Sequence, residues 1–207
     1  MDQNFGESED RSVGMNLNEL VNALPGGYEF IAFDVCLMGN IELLYALRHK
    51  AKYLLASPAE ILLDGFPYDQ VMPLLWGGDA QLKSVCQVFR DYYDSGKSTV
   101  KKFGGMLRLV FTGSLDELPV ATKAILSWKI EEVANMNSAT VWRYPLIDYR
   151  NDVFFDFGNY IREWATEEQY MQFEQLLKKA IYAVSTTEFG GTEISAVPCS
   201  GVATYIP

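Results

Sequence analysis

The chain has 207 residues, 49% of them hydrophobic and 14% aromatic, which is enough apolar surface for a substantial core and excludes a disordered segment. Seventeen Lys and Arg stand against 27 Asp and Glu, a formal charge of -10, and no basic cluster interrupts that excess, which argues against nucleic acid as a partner. Three cysteines, Cys36, Cys86 and Cys199, without CxxC or Cys/His spacing, make neither a disulfide framework nor a structural zinc site, and no apolar run approaches the length of a membrane span.

Residues 1–14 are polar and read as a surface loop. Asn16 and Glu19 have capping-box spacing, which predicts a short helix over 16–24, ended by Pro25–Gly27. Tyr28–Phe33 is a short, continuously apolar run, the pattern of a buried parallel strand. Asp34–Gly39 lies at its carboxyl edge. From Asn40 to Tyr53 apolar residues recur at helical period, with Ile41, Leu44, Tyr45 and Leu47 facing the core. Tyr53–Ser57 reads as a second strand. Together these segments predict a strand–helix–strand unit in a mostly parallel sheet covered on both faces.

Asp64–Pro67 is a turn, followed by helices expected near 68–75 and 79–93. A polar loop over 96–105 leads to a strand over Met106–Thr112. Ser114–Glu117 has capping-box spacing for a helix to residue 135, with Pro119 tolerated near its start. Residues 137–158 lack a regular period. A pair of helices is expected over 157–185, with Thr166 and Gln169 as another box. The reading is one α/β domain: a loop (1–14), an α/β core (15–112), then a helical lobe and returning strand (113–207).

Asp34 and Cys36 are two residues apart, so in an extended chain both side chains face one crevice, and ligand sites of open α/β sheets lie beyond the carboxyl ends of strands. A helix starting near Asn40 would bring its positive end near the thiol and favour the thiolate, whereas Asp34 would oppose it. The residues alone leave two readings of Cys36: a nucleophile, or a small hydrophobe among Phe33, Val35, Leu37 and Met38. A cysteine nucleophile needs a histidine base, and the single histidine, His49, is carried roughly 15 Å along the predicted helix by its ordinary rise. Asp64, before Gly65, is either a turn former or, with Asp34, the floor of a pocket for a basic side chain. Glu60 and Asp69 are weaker candidates for that pocket. Cys86 reads as core, and Cys199 has no evident partner. Asp148, Asp152 and Asp156 lack the spacing of a calcium loop and read as irregular surface.

Phe33–Glu42 (FDVCLMGNIE) resembles the nucleophile motif of the clostripain-like cysteine peptidases, and the match continues through Tyr45–Arg48, Ala51–Tyr53, Ala56–Ser57 and Gly65–Asp69. Asp156–Tyr160 and Ser200–Pro207 resemble less specific landmarks. The resemblance implies a caspase-like α/β/α fold and cleavage after arginine or lysine through a Cys–His dyad and a thioester. Cys36 then falls on the nucleophile, and Asp34 and Asp64 on the acids that line the pocket for the basic P1 side chain. No cofactor is implied beyond calcium, which the family leaves open.

In the family the dyad histidine precedes the nucleophile in a His-Gly context, and no histidine precedes Cys36 here. The expectation is a fragment, a processed chain or an inactive relative that binds basic peptides or serves a structural role, with the sheet incomplete at its N-terminal side. The expected partners are a peptide or protein substrate, an upstream histidine-bearing segment, and another copy through an exposed sheet edge. A secreted or cell-envelope bacterial location follows from the same resemblance.

Overall fold

A computed structural model describes residues 15–76, 79–98, 103–145 and 154–206. The chain opens with helix α1 (Leu17–Ala23), whose Asn16 and Glu19 form the expected capping box, and strand β1 (Tyr28–Ala32). Helix α2 (Ile41–Ala46) and strand β2 (Ala51–Ala56) follow. The predicted helix over 40–53 is therefore cut short: Leu47 closes it, and β2 begins two residues before Tyr53.

Helices α3 (Tyr68–Val71) and α4 (Asp79–Asp94) lead to strand β3 (Met106–Phe111). The helix expected from Ser114 is broken into a 3-10 turn over 112–114, α5 (Leu118–Leu126) and α6 (Ile130–Ala134). Ser114 caps nothing, and Pro119 sits in the first turn of α5, where its missing N–H costs nothing. Then come β4 (Phe154–Asp156), α7 (Phe157–Arg162), α8 (Glu167–Ala180) with its Thr166–Gln169 box, and β5 (Ile181–Ser185), a strand where a helix was expected. Short strands β6 (Glu188–Phe189), β7 (Thr192–Glu193) and β8 (Ala203–Tyr205) complete the described chain.

The main sheet has the order β1-β2-β3-β5. Only β1 and β2 run parallel; β3 is antiparallel to β2, and β5 to β3. The sheet is thus mixed and mostly antiparallel, which overturns the expectation of a mostly parallel one. The cause lies in the connection between β2 and β3. In a simple crossover the helix runs back against its strands. Here residues 57–76 make that return journey, so α4 runs with β2: Lys83, near its start, lies over Phe111 at the far end of β3, and Tyr93, near its end, bonds Gly65. The following strand has to enter from the carboxyl end of β2. A strand buried on both faces, such as Met106–Phe111, carries no mark of direction in its side chains.

Both faces are covered. Leu54, Val110 and Ile181 pack with α2, α5, α7 and α8. Leu55, Leu107, Leu109 and Val184 pack with α3 and α4. The layers are helix, sheet and helix. A second small sheet joins β4 to β8, and a bridge from Ala203 to Asn40 ties it to the chain just past Cys36. No described helix is long and apolar enough to cross a membrane.

Candidate functional site

Strand β1 ends at Ala32, although Phe33 still donates to Leu55 O. The chain beyond it does not stay extended. Leu37 has φ 65°, left-handed backbone that a branched residue rarely adopts. The turn is held all the same: Leu37 N donates to Ala59 O at 3.0 Å, Gly39 N to Ser57 O at 2.6 Å, and Asn40 Nδ2 to Leu37 O at 2.8 Å. A Cβ on Gly39 would stand 2.5 Å from Pro58 N, so only glycine permits this approach to the β2 exit. Strain held in place in this way is typical of sites where a side chain must be presented.

The presented side chain is Cys36, half-buried beyond the carboxyl end of β1. Its thiol donates to Ile61 O, and Ile61 N donates to Sγ, each at 3.3 Å. Burial pushes the thiol above its ordinary pKa; the Ile61 N–H pulls it down, while Glu60 and Asp34 add to the rise. The positive end of α2, expected to favour a thiolate, is capped by Asn40, whose Oδ1 accepts from Leu43 N at 2.9 Å. No net activation of the thiol results.

Asp34 faces the same 61–66 segment. Its Oδ2 accepts from Tyr68 OH at 2.9 Å and Phe66 N at 3.3 Å, while Oδ1 is shielded and has no donor among the described residues. Gly65, at φ 62°, lies against the carboxylate: a Cβ there would be 2.6 Å from Oδ2. Asp64 accepts from Ser98 Oγ at 2.7 Å, and Tyr93 OH donates to Gly65 O at 2.8 Å. Burial, then Asp64 and Asp34, hold the Tyr93 phenol above the ordinary tyrosine range. Cys36, Asp34 and Asp64 therefore converge on one short segment. Tyr68, Tyr93 and Ser98 join them, and nothing in their sequence spacing signals it.

His49 lies elsewhere. It sits exposed in the turn before β2, where Lys50 O accepts from Tyr28 N at the opposite end of β1. Strand β1 alone spans about 13 Å, so His49 does not face the thiol. It lines a separate cavity of about 400 Å³ with Tyr28, Arg48 and Lys52. Asp69 is exposed in α3, away from the hydrogen bonds of the site. Asp148 and Asp152 lie outside the described residues. Asp156 is no surface acid: it is fully buried and accepts from Tyr144 OH, Ser200 N, Ser200 Oγ, Gly201 N and Asn159 N. A carboxylate so committed is not a cation ligand. Cys199 touches this group, 3.5 Å from Tyr144 OH.

The model of the clostripain family, peptidase C11, matches residues 5–205. The chain belongs to the clostripain family. Solved structures agree with the assignment. An inactive zymogen C11 protease from Parabacteroides distasonis is 28% identical with a TM-score of 0.80; the match covers 92% of this chain and 56% of that one. A cysteine protease from B. fragilis is 25% identical with a TM-score of 0.80, covering 98% of this chain and 88% of that one. A secreted C11 cysteine protease from Bacteroides thetaiotaomicron is 26% identical with a TM-score of 0.72, covering 91% and 53%. This clostripain-family chain thus spans little more than half the length of the first and third of these proteins. No curated protein matches it.

Proposed function

We propose that this domain is the nucleophile-bearing portion of an endopeptidase that cleaves after arginine or lysine. Cys36 attacks the scissile carbonyl, and Asp34 and Asp64 hold the basic side chain. In this reading the base is a histidine outside the 207 residues, docked along the outer edge of β1, which has no partner strand among the described residues. The imidazole takes the thiol proton, Sγ bonds the carbonyl carbon, and the imidazolium returns the proton to the leaving amine. Water then hydrolyses the thioester and restores the thiol. A secreted or cell-envelope location belongs to the same reading, by analogy with the secreted relative.

The observation that carries it is the convergence on residues 61–66: the thiol on Ile61, the Asp34 carboxylate on Phe66, and Asp64 within the segment itself. A second reading, an inactive relative that binds basic peptides, is favoured by the raised thiol pKa. One experiment separates them. The full-length gene product is incubated with peptides carrying Arg or Lys at P1, beside its Cys36→Ala variant. Cleavage by the parent alone supports the peptidase. Binding without cleavage supports the inactive relative, and equal cleavage by both proteins rejects Cys36 as nucleophile.

A further inference from the structure

We infer that Tyr68 is a positioning residue that sets the choice between lysine and arginine, by filling one oxygen of Asp34 and leaving the other for a single donor. The inference rests on the reading of Asp34 as the acid that receives a basic side chain.

Asp34 Oδ2 already accepts from Tyr68 OH at 2.9 Å and from Phe66 N at 3.3 Å, so two sides of it are occupied. Oδ1 is shielded from solvent and accepts from no donor among the described residues. A buried acceptor without a donor is a cost that a bound cation relieves. The carboxylate has little freedom to present itself differently, because Gly65 lies close against it on one side and a Cβ there would already overlap Oδ2. Phe66 N belongs to the backbone and is fixed.

The two basic side chains ask different things of such an acid. Guanidinium binds best as a fork, with one N–H on each carboxylate oxygen. That arrangement needs room for a second N–H beside Oδ2, where the Tyr68 hydroxyl stands. Ammonium is a compact point charge that needs one acceptor and spends its other donors elsewhere. Enclosure of Oδ1 favours the slimmer group as well. The surroundings of Asp34 therefore rank lysine above arginine. Tyr68 is half exposed, and its ring lies 6.1 Å from that of Phe66. Phenylalanine keeps that ring contact and removes only the hydroxyl.

The test is a calorimetric titration of the full-length gene product carrying Cys36→Ala, so that no peptide is cleaved. Two N-acetylated peptides are used, identical except for Lys or Arg at P1. The lysine peptide is expected to bind more tightly, and Tyr68→Phe is expected to shift the ratio of the two dissociation constants toward arginine by about tenfold, the worth of a hydrogen bond to a charged group. A general loosening of the pocket weakens both peptides and leaves the ratio where it was. A change in ratio of less than about twofold, within the scatter of independent substitutions, overturns the role of Tyr68, as does a preference for arginine in the Tyr68 protein. Asp34→Asn separates this failure from that of the underlying reading. If Asp34→Asn weakens both peptides while the ratio ignores Tyr68, only the inference falls. If Asp34→Asn changes neither affinity, or neither peptide binds, the reading of Asp34 falls with it.

Discussion

The Cys36 thiol exchanges hydrogen bonds with the Ile61 backbone and has two carboxylates, Glu60 and Asp34, in its electrostatic surroundings. Burial and both acids disfavour the thiolate, and the backbone N–H groups of Ile61 and of Cys36 itself do not offset them. At neutral pH such a thiol is held in its protonated form more firmly than a free cysteine. The expected behaviour of the 207-residue chain is slow alkylation of Cys36 by iodoacetamide at neutral pH, with a rate that climbs only above the ordinary thiol range. Mass-resolved alkylation from pH 6 to 10 measures it, and a midpoint below 8 would contradict the assignment. Asp34→Asn, which removes a like charge, should move that midpoint down. Cys86 provides an internal reference, since burial pushes its thiol up to about 12, and it should stay unmodified while the chain is folded. An imidazolium placed beside Cys36 would reverse the balance, which is what the proposed upstream histidine supplies.

At the scale of elements, the turn that presents Cys36 is braced from the end of the chain. Asp156 caps α7 through Asn159 N and gathers Ser200 and Gly201 onto its other oxygen. Gly201 O accepts from the buried Arg108, and two residues later Ala203 N donates to Gly39 O. Asp156→Ala leaves several buried donors without an acceptor and is expected to cost about 2–4 kcal/mol; urea denaturation measures the loss. Almost none of this is legible in the sequence. The caps at Asn16 and Thr166 could be read because both partners lie three residues apart. The acceptor role of Asp156 depends on Ser200, 44 residues away, so its spacing from Asp148 and Asp152 reads only as irregular surface. The Ser114 spacing was equally suggestive and formed no cap, because β3 runs straight into a 3-10 turn there. The site divides in the same way. Asp34 and Cys36 are candidates from a local motif and Asp64 from the family resemblance, whereas Tyr68, Tyr93 and Ser98 join them only through the path of α3, α4 and the loop after α4.

For the whole molecule, the sheet is one wall shared by two cores. Neighbouring residues of a strand point to opposite faces, and in β2 this sends Leu54 into the cluster with α2, α5, α7 and α8, and Leu55 into the cluster with α3 and α4. Both side chains are fully buried. Truncating either to alanine is expected to cost about 2–5 kcal/mol. The informative question is whether the two faces melt together. Trp164 packs against the first cluster and Trp142 against Tyr144, while Trp76 and Trp128 are more than 80% exposed and report little on packing, so a Trp142→Phe background isolates the Trp164 signal. If the shared sheet couples the cores, Leu55→Ala shifts the urea transition followed by Trp164 fluorescence as far as it shifts the transition followed by far-ultraviolet circular dichroism, although the cavity lies on the opposite face. Leu54→Ala should do the same. A Trp164 transition that ignores Leu55→Ala would mean that the helices of each face unfold apart, and that the 61–66 segment, which packs through Leu62 and Phe66 on the Leu55 side, can leave the thiol while the other core stands. Coincident transitions would mean that Cys36, Asp34 and Asp64 keep their mutual geometry until the whole chain unfolds.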